Sequence, residues 1–164
     1  MEQSLVERVI RGEWLDLTSK GEATDDAAMR SWGDARTCRA TVIREILRGR
    51  LVADPDPHGV RLQGARITGR LDLENLTTEV SFELKNCLLE EGILARDAHL
   101  AFVGLVGCRL EHPGEPPLDA ARLTCSALTL EHVRIIGHSE TGAVTLSGAH
   151  IDTLVNCNGA GPTQ

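Results

Sequence analysis

A chain of 164 residues carrying a net charge of −7 can bury one sizeable core, and no run in it approaches the 18 or so apolar residues of a membrane-crossing helix. Aromatic residues are 2% of the chain, Tyr is absent, and the N-terminus lacks the basic, apolar and small-residue order of a secretory signal. An odd count of five cysteines with no CxxC pair argues against a disulfide framework and predicts free thiols in a cytoplasmic protein.

Residues 1–58 read as a helical N-terminal cap and connector. Ser4 to Arg11 predicts a short helix with Leu5, Val9 and Ile10 on one side, stopped by Gly12. Thr24, followed by Asp25 and Asp26, has the form of an N-cap with acids in the first turn, and its helix is expected to end near Gly33. Asp34 is expected to cap a longer helix running to about Arg48, with Val42, Ile43, Ile46 and Leu47 as its apolar stripe and Gly49 as its stop. Arg36, Arg39, Arg44, Arg48 and Arg50 make that helix basic. A solvated face whose arginines favour the helix C-terminus explains them better than nucleic-acid binding. The turn-rich stretch Asp54-Pro55-Asp56-Pro57-His58-Gly59 connects to the second unit.

From residue 59 to 160 apolar positions recur every five residues, with a few one-residue slips. They are Leu62, Ile67, Leu73, Leu84, Leu89, Leu94, Leu100, Leu105 and Leu110, then Ala120, Cys125, Leu130, Ile135, Leu146 and Ile151. Two residues before nearly every one stands a second apolar or small residue, such as Phe82, Val103, Val133 or Val144. Each side of a four-sided coil therefore sends two side chains inward, and so narrow an interior has little room for rings. A solenoid must also repeat at the length of a whole turn. Ile67, Leu89, Leu110, Leu130 and Ile151 follow at steps of 22, 21, 20 and 21 residues, and Leu62, Leu84, Leu105, Cys125 and Leu146 do the same. Ala65, Cys87, Cys108, Leu128 and Ala149 are expected to form an inner column of smaller side chains. Cys87 and Cys108 then stack one turn apart, within disulfide reach, although buried thiols are the expectation in a reducing cell. The coil has about four and three-quarter turns, and with strands about 4.8 Å apart its length is on the order of 20 to 25 Å.

The phrases Gly64-Ala65-Arg66-Ile67, Gly107-Cys108-Arg109-Leu110 and Gly148-Ala149-His150-Ile151 resemble pentapeptide repeats. The pattern is degenerate, because the Asp or Asn that usually precedes the central Leu is replaced by Arg66, His99, Arg109, Thr129 and Arg134. The stretch Asp26-Ala27-Ala28-Met29-Arg30-Ser31-Trp32-Gly33, with Arg36-Thr37 and the run from Arg61 to Ile67, resembles a group of uncharacterised actinobacterial proteins with such repeats. The resemblance implies a mainly β fold: a right-handed parallel β-helix with a small α-helical N-terminal cap over residues 1–58, the solenoid over residues 59–160, and a tail over residues 161–164.

No catalytic constellation accompanies the coil. The six histidines include no HExxH and no zinc-like spacing to cysteine, and GxSxG, P-loop and GxGxxG motifs are missing. Steps of five rather than six also argue against the hexapeptide acyltransferases. No catalytic residue, cofactor or metal is expected.

Two segments break the beat, and solenoids often keep their specificity in such places. Residues 111–117 (Glu-His-Pro-Gly-Glu-Pro-Pro) are expected to replace a side of the third turn, and residues 136–142 a side of the fourth. By turn count they occupy neighbouring corners, so Glu111, His112, Glu115, His138 and Glu140 are the candidate partner-binding ledge. Beyond Leu154, Asn156 and Cys157 the glycines and Pro162 stop the repeat, leaving an end for which self-association is the expectation.

The expected function is a non-enzymatic protein-binding or scaffold module whose partner is another protein, with no membrane and no direct nucleic-acid contact. Residues 1–58 sum to −2 and residues 59–164 to −5. The acidic coil leaves a second reading open, implied by the resemblance: imitation of duplex DNA toward a topoisomerase or other DNA-binding enzyme. A third is an accessory subunit or an atypical enzyme.

Overall fold

Parallel pairing joins Leu15, Leu62, Leu84, Leu105 and Leu130 into one ladder in the computed structural model of the chain, which describes residues 1–137, 140, 142–156 and 161–162. Every strand pair is parallel, and the strands wind into a β-solenoid of about five turns. The first side of the coil is built from Leu15–Asp16, Val60–Gln63, Phe82–Lys85 and the later halves of His99–Val106, Thr124–Glu131 and His150–Asn156. The second side stacks Thr37–Arg39, Arg66–Thr68, Leu88–Leu89, Arg109–His112, Arg134–Gly137 and Gly161–Pro162. The third stacks Leu71–Asp72, Ile93–Leu94, Leu118–Asp119 and Val144–Thr145. The fourth begins at Thr77–Thr78, and in later turns it runs without a break into the first side of the next turn.

Alternation along each short strand puts Val60 and Leu62, Phe82 and Leu84, Val103 and Leu105, and Leu128 and Leu130 into one continuous interior. Burial of that stack supplies the main stabilising force, since each fully buried Leu or Val is worth about 1.5–3 kcal/mol. The corners follow from backbone sterics. Gly64, Asn86, Gly107 and His132 occupy the corner between the first and second sides on successive turns, all with φ between 48° and 73°. Asn75, Asp97, Arg122 and Gly148 occupy the corner between the third and fourth, with φ between 55° and 68°. Glycine enters this left-handed region freely and Asn or Asp more easily than other residues, which is why they punctuate the coil at the period of a turn.

Turn length is not constant. The ladder from Leu62 steps by 22 to Leu84, by 21 to Leu105 and by 25 to Leu130. Its neighbour runs Ile67, Leu89, Leu110 and Ile135 with the same steps. The columns expected from sequence are thus correct through Leu105 and Leu110, then slip by one side: Leu130 stacks on Leu105, and Ile151 on Cys125. The inner column is corrected likewise to Ala65, Cys87, Cys108 and Val133, whose backbones hand hydrogen bonds from turn to turn. The cause is residues 111–117, which replace no side. They lengthen the corner between the second and third sides, and Leu118–Asp119 still forms the third side. At Leu94 the beat also fails, because Ile93 and Ala95 point inward and Leu94 is only half-buried.

Three helices precede the coil: α1 (Glu2–Arg11), α2 (Asp26–Ser31) and α3 (Ala40–Leu47). Leu5 and Val9 of α1 and Ile43, Ile46 and Leu47 of α3 join the solenoid core and close its first end. Gly12 (φ 68°) ends α1 as its C-cap. The expected long helix from Asp34 is shorter, since Asp34–Arg36 make one 3₁₀ turn and Thr37–Arg39 pair with Arg66–Thr68. Burying Cys38 beneath Ile67 outweighs the local cap propensity of Asp34. Among the described residues no helix is long and apolar enough to cross a membrane.

Candidate functional site

The second side carries an outward row of Arg66, Leu88, Arg109 and Arg134, one residue per turn. Leu88 is there because its neighbours Cys87 and Leu89 both face inward, and a leucine on an outer wall needs cover. Helix α2 provides it: Met29 and Trp32 pack on Leu88, and all three are buried. The Asp25 side chain starts α2 by accepting the Ala28 N–H at 2.9 Å, as an N-cap should. The expected cap at Thr24 is therefore one residue early.

Charge pairing fixes the helix on the wall. The Asp26 carboxylate lies between Arg109 and Arg134, 3.2 Å from the latter. Arg30 donates to Glu111 at 2.5 Å, and Glu111 also takes the Nε of Arg109. Arg109 has a side-chain exposure of 9%, so its two carboxylate partners compensate a nearly buried charge. Arg36 stacks on Trp32 with its guanidinium carbon 4.3 Å from the ring centre. Its Nη2 reaches Glu22 at 3.0 Å, and this pairing holds the Glu22 carboxyl down to about 2.

Beside α2 opens a groove of about 350 Å³ lined by Arg30, Glu90, Glu111, His112, Pro113 and Ile136. His112 pairs with Gly137 in the parallel register, so the two interrupting segments leave the same corner on consecutive turns, not the neighbouring corners expected from the turn count, because the columns slip by one side after Leu110. Within that corner the ledge residues face different ways. His112 accepts the N–H groups of Gly114 (3.1 Å) and Glu115 (2.8 Å) on Nδ1, and burial together with the nearby Arg70 lowers its pKa. Glu115 pairs with Arg70, which also donates to the Pro116 carbonyl at 3.2 Å. Glu111 belongs to the α2 contact, Glu140 is exposed, and His138 lies outside the described residues.

Other charges pair in the same manner. Asp119, 1% exposed, accepts Arg96 Nε at 2.7 Å and the Ala121 N–H at 3.3 Å, at the edge of a second groove of about 320 Å³. Asp97 takes both arms of Arg122 at 2.6 Å. The basic residues of the N-terminal unit are engaged as well: Arg39 with Glu2, Arg44 with Asp72, and Arg48 and Arg50 with Glu45.

Sequence reasoning missed the α2 contact. Its signal was the run Cys87-Leu88-Leu89, three apolar residues where alternation allows two, with Met29 and Trp32 spaced for a short amphipathic turn. Cys38, Cys87, Cys108 and Cys125 are buried free thiols. Burial pushes Cys38 up to about 12 and Cys87 well above its ordinary value. Among the described residues no three His, Cys, Asp or Glu side chains group as metal ligands. No family model, curated protein or solved structure matches the chain.

Proposed function

We propose that this chain is a non-enzymatic protein-binding scaffold, a degenerate pentapeptide-repeat solenoid acting in the cytoplasm. The observation that carries this reading is the corner where His112 meets Gly137: the two segments that interrupt the beat leave the wall at one place, beside an open groove. A parallel coil fixed by stacked leucines holds such segments in constant relation, which suits recognition of another folded surface.

Pairing of the carboxylates favours this reading over imitation of duplex DNA. Asp72, Glu83, Glu90, Asp97 and Glu111 each stand beside an arginine, whereas a duplex mimic needs uncompensated anions at regular spacing. Self-association through the last described turn belongs to the same proposal. Val144, Leu146 and Leu154 are 38%, 40% and 58% exposed there, more apolar surface than the earlier turns leave. Sedimentation at micromolar concentration tests it, with a dimer expected and a monomer counting against it.

Affinity capture from the native host tests the scaffold reading. Wild type is compared with Pro113→Arg/Glu140→Arg, which changes the corner without touching the core. A protein retained by wild type and lost with the variant is the expected result; identical retention on both removes the corner as the site.

A further inference from the structure

We propose that the second side of the solenoid is a docking wall for a short acidic amphipathic helix, and that residues 18–36 are its resident, displaceable occupant. This deepens the scaffold reading and rests on it.

The strap is anchored by backbone pairing at both ends and by side chains between them. At its start the Leu17 N–H donates to the Gln63 carbonyl at 3.0 Å, extending the pairing of Leu15–Asp16 with the first side. At its finish Thr37–Arg39 pair with Arg66–Thr68. From residue 19 to residue 35 its backbone hydrogen bonds are local, such as Glu22 N–H to Ser19, Met29 N–H to Asp25 and Trp32 N–H to Met29, and among the described residues none reaches the solenoid backbone. Side chains alone hold it: Asp26 on Arg109 and Arg134, Arg30 on Glu111, Met29 and Trp32 on Leu88.

Both ends of the strap meet over Gly64. A Cβ there would stand 2.5 Å from the Thr18 methyl and 3.0 Å from Arg36 Nη2, and Arg36 Nε donates to the Gly64 carbonyl at 3.1 Å. The strap is therefore a closed loop whose middle can lift while its feet stay paired. A segment held this way opens at lower free energy than the ladder beneath it.

Lifting it uncovers a specific surface. Leu88 becomes an apolar spot flanked along the row by Arg66 and Arg109, with Arg134 one turn further. Its complement is what α2 now presents: a carboxylate in the first turn, an apolar residue three positions on, and an aromatic three beyond that. A partner helix of this chemistry competes with α2 for the same arginines, so the cis contact sets the threshold for the trans one. Wild type then binds such a helix more weakly by the factor with which the closed strap is favoured.

The test uses the full chain and a labelled peptide of residues 22–36, read by fluorescence anisotropy. The opened variant Asp26→Arg/Trp32→Ala is expected to bind the peptide at least tenfold more tightly than wild type does. Adding Leu88→Asp to the opened variant is expected to abolish that binding, and a scrambled peptide of the same composition is expected not to bind. Equal affinity for wild type and opened variant, no binding to either, or indifference to Leu88 overturns the proposal. Amide hydrogen exchange on unmodified wild type guards against a misfolded variant. Amides of residues 19–35 are expected to exchange at least a hundredfold faster than those of residues 103–106, and equal rates overturn a displaceable strap. Capture of a partner at the corner together with a silent peptide defeats this inference and leaves the scaffold reading standing.

Discussion

Trp32 covers Leu88, an outward side chain of the solenoid wall, so completely that Trp32 is 5% exposed and Leu88 fully buried. An enclosed contact between an N-terminal side chain and the outer face of a coil makes the first 58 residues more than an end plug. Helices α1 and α3 seal the first turn, while α2 clothes one side. Trp32→Ala is expected to cost about 2–4 kcal/mol in urea unfolding, mostly lost apolar burial. The same variant should speed amide exchange in residues 19–35 without affecting residues 82–106. A loss spread evenly over both regions would mean that α2 and the coil unfold as one unit.

Gly107 tests the corner chemistry. Its φ is 61°, and a Cβ would stand 2.3 Å from the Asn86 side-chain oxygen of the preceding turn. Gly107→Ala therefore meets both backbone strain and a clash, and should cost about 1–3 kcal/mol. Gly21, with φ 77° and nothing within 4 Å of the same position, is the control for strain alone. Gly21→Ala should lower the urea midpoint by less than Gly107→Ala.

Asp119 is a buried carboxylate whose charge is answered by Arg96 and whose second oxygen takes the Ala121 N–H. Asp119→Ala leaves both donors short of a partner, and about 1.5–3 kcal/mol is expected from the charge-assisted bonds alone. Exposed pairs behave differently. Removal of the Asp97 to Arg122 pair, whose side chains are 40% and 61% exposed, should change stability by no more than about 1 kcal/mol.

Stability should fall in acid, in a defined window. Arg36 holds the Glu22 carboxyl down to about 2 from an ordinary 4.5, and Glu2, Asp56 and Asp97 are lowered as well. A carboxyl depressed by folding contributes above its unfolded value and loses that contribution as pH falls through its folded one. The urea midpoint should thus decline from about pH 4.5 toward 2, and Glu22→Gln should flatten the decline. His112 carries the same sign higher up. Its lowered pKa keeps Nδ1 an acceptor for Gly114 and Glu115, so protonation below the ordinary 6.5 weakens the corner, and His112→Gln should remove that part of the pH profile.

Thiol chemistry reports on the interior. Burial pushes Cys38 up to about 12 and raises Cys87, which keeps both as protonated thiols. At pH 8 in native buffer Cys38 and Cys87 should resist an aromatic disulfide reagent, reacting only on unfolding. Fast labelling of either would mean that the early turns open far more readily than their packing implies.

Much of the architecture was legible because a coil repeats its own constraint. The pair of inward residues per side gave the four-sided section, and Leu62, Leu84 and Leu105 marked one wall. Counting failed where the period changed. Residues 111–117 lengthen a corner, and from there Leu130 slips onto Leu105 rather than Leu110. The two interruptions were legible as breaks in the beat, but their sharing one corner was not, because the slip after Leu110 brings Gly137 onto His112. Pairing was not legible: that His112 serves its own loop, that Glu115 answers Arg70, or that Asp26 spans two turns depends on side chains distant in sequence. The strands at Leu15–Asp16 and Thr37–Arg39 were equally hidden, because two or three residues carry no period of their own.

The most direct measurement for a wall that recruits protein is amide hydrogen exchange on the full chain with and without the partner captured from its host. Protection over residues 109–117 and 134–137, together with faster exchange in residues 26–32 as the strap is displaced, is the expected pattern. Unchanged exchange in all of these segments, or protection confined to α1 and α3, would contradict a docking role for the second side and its corner.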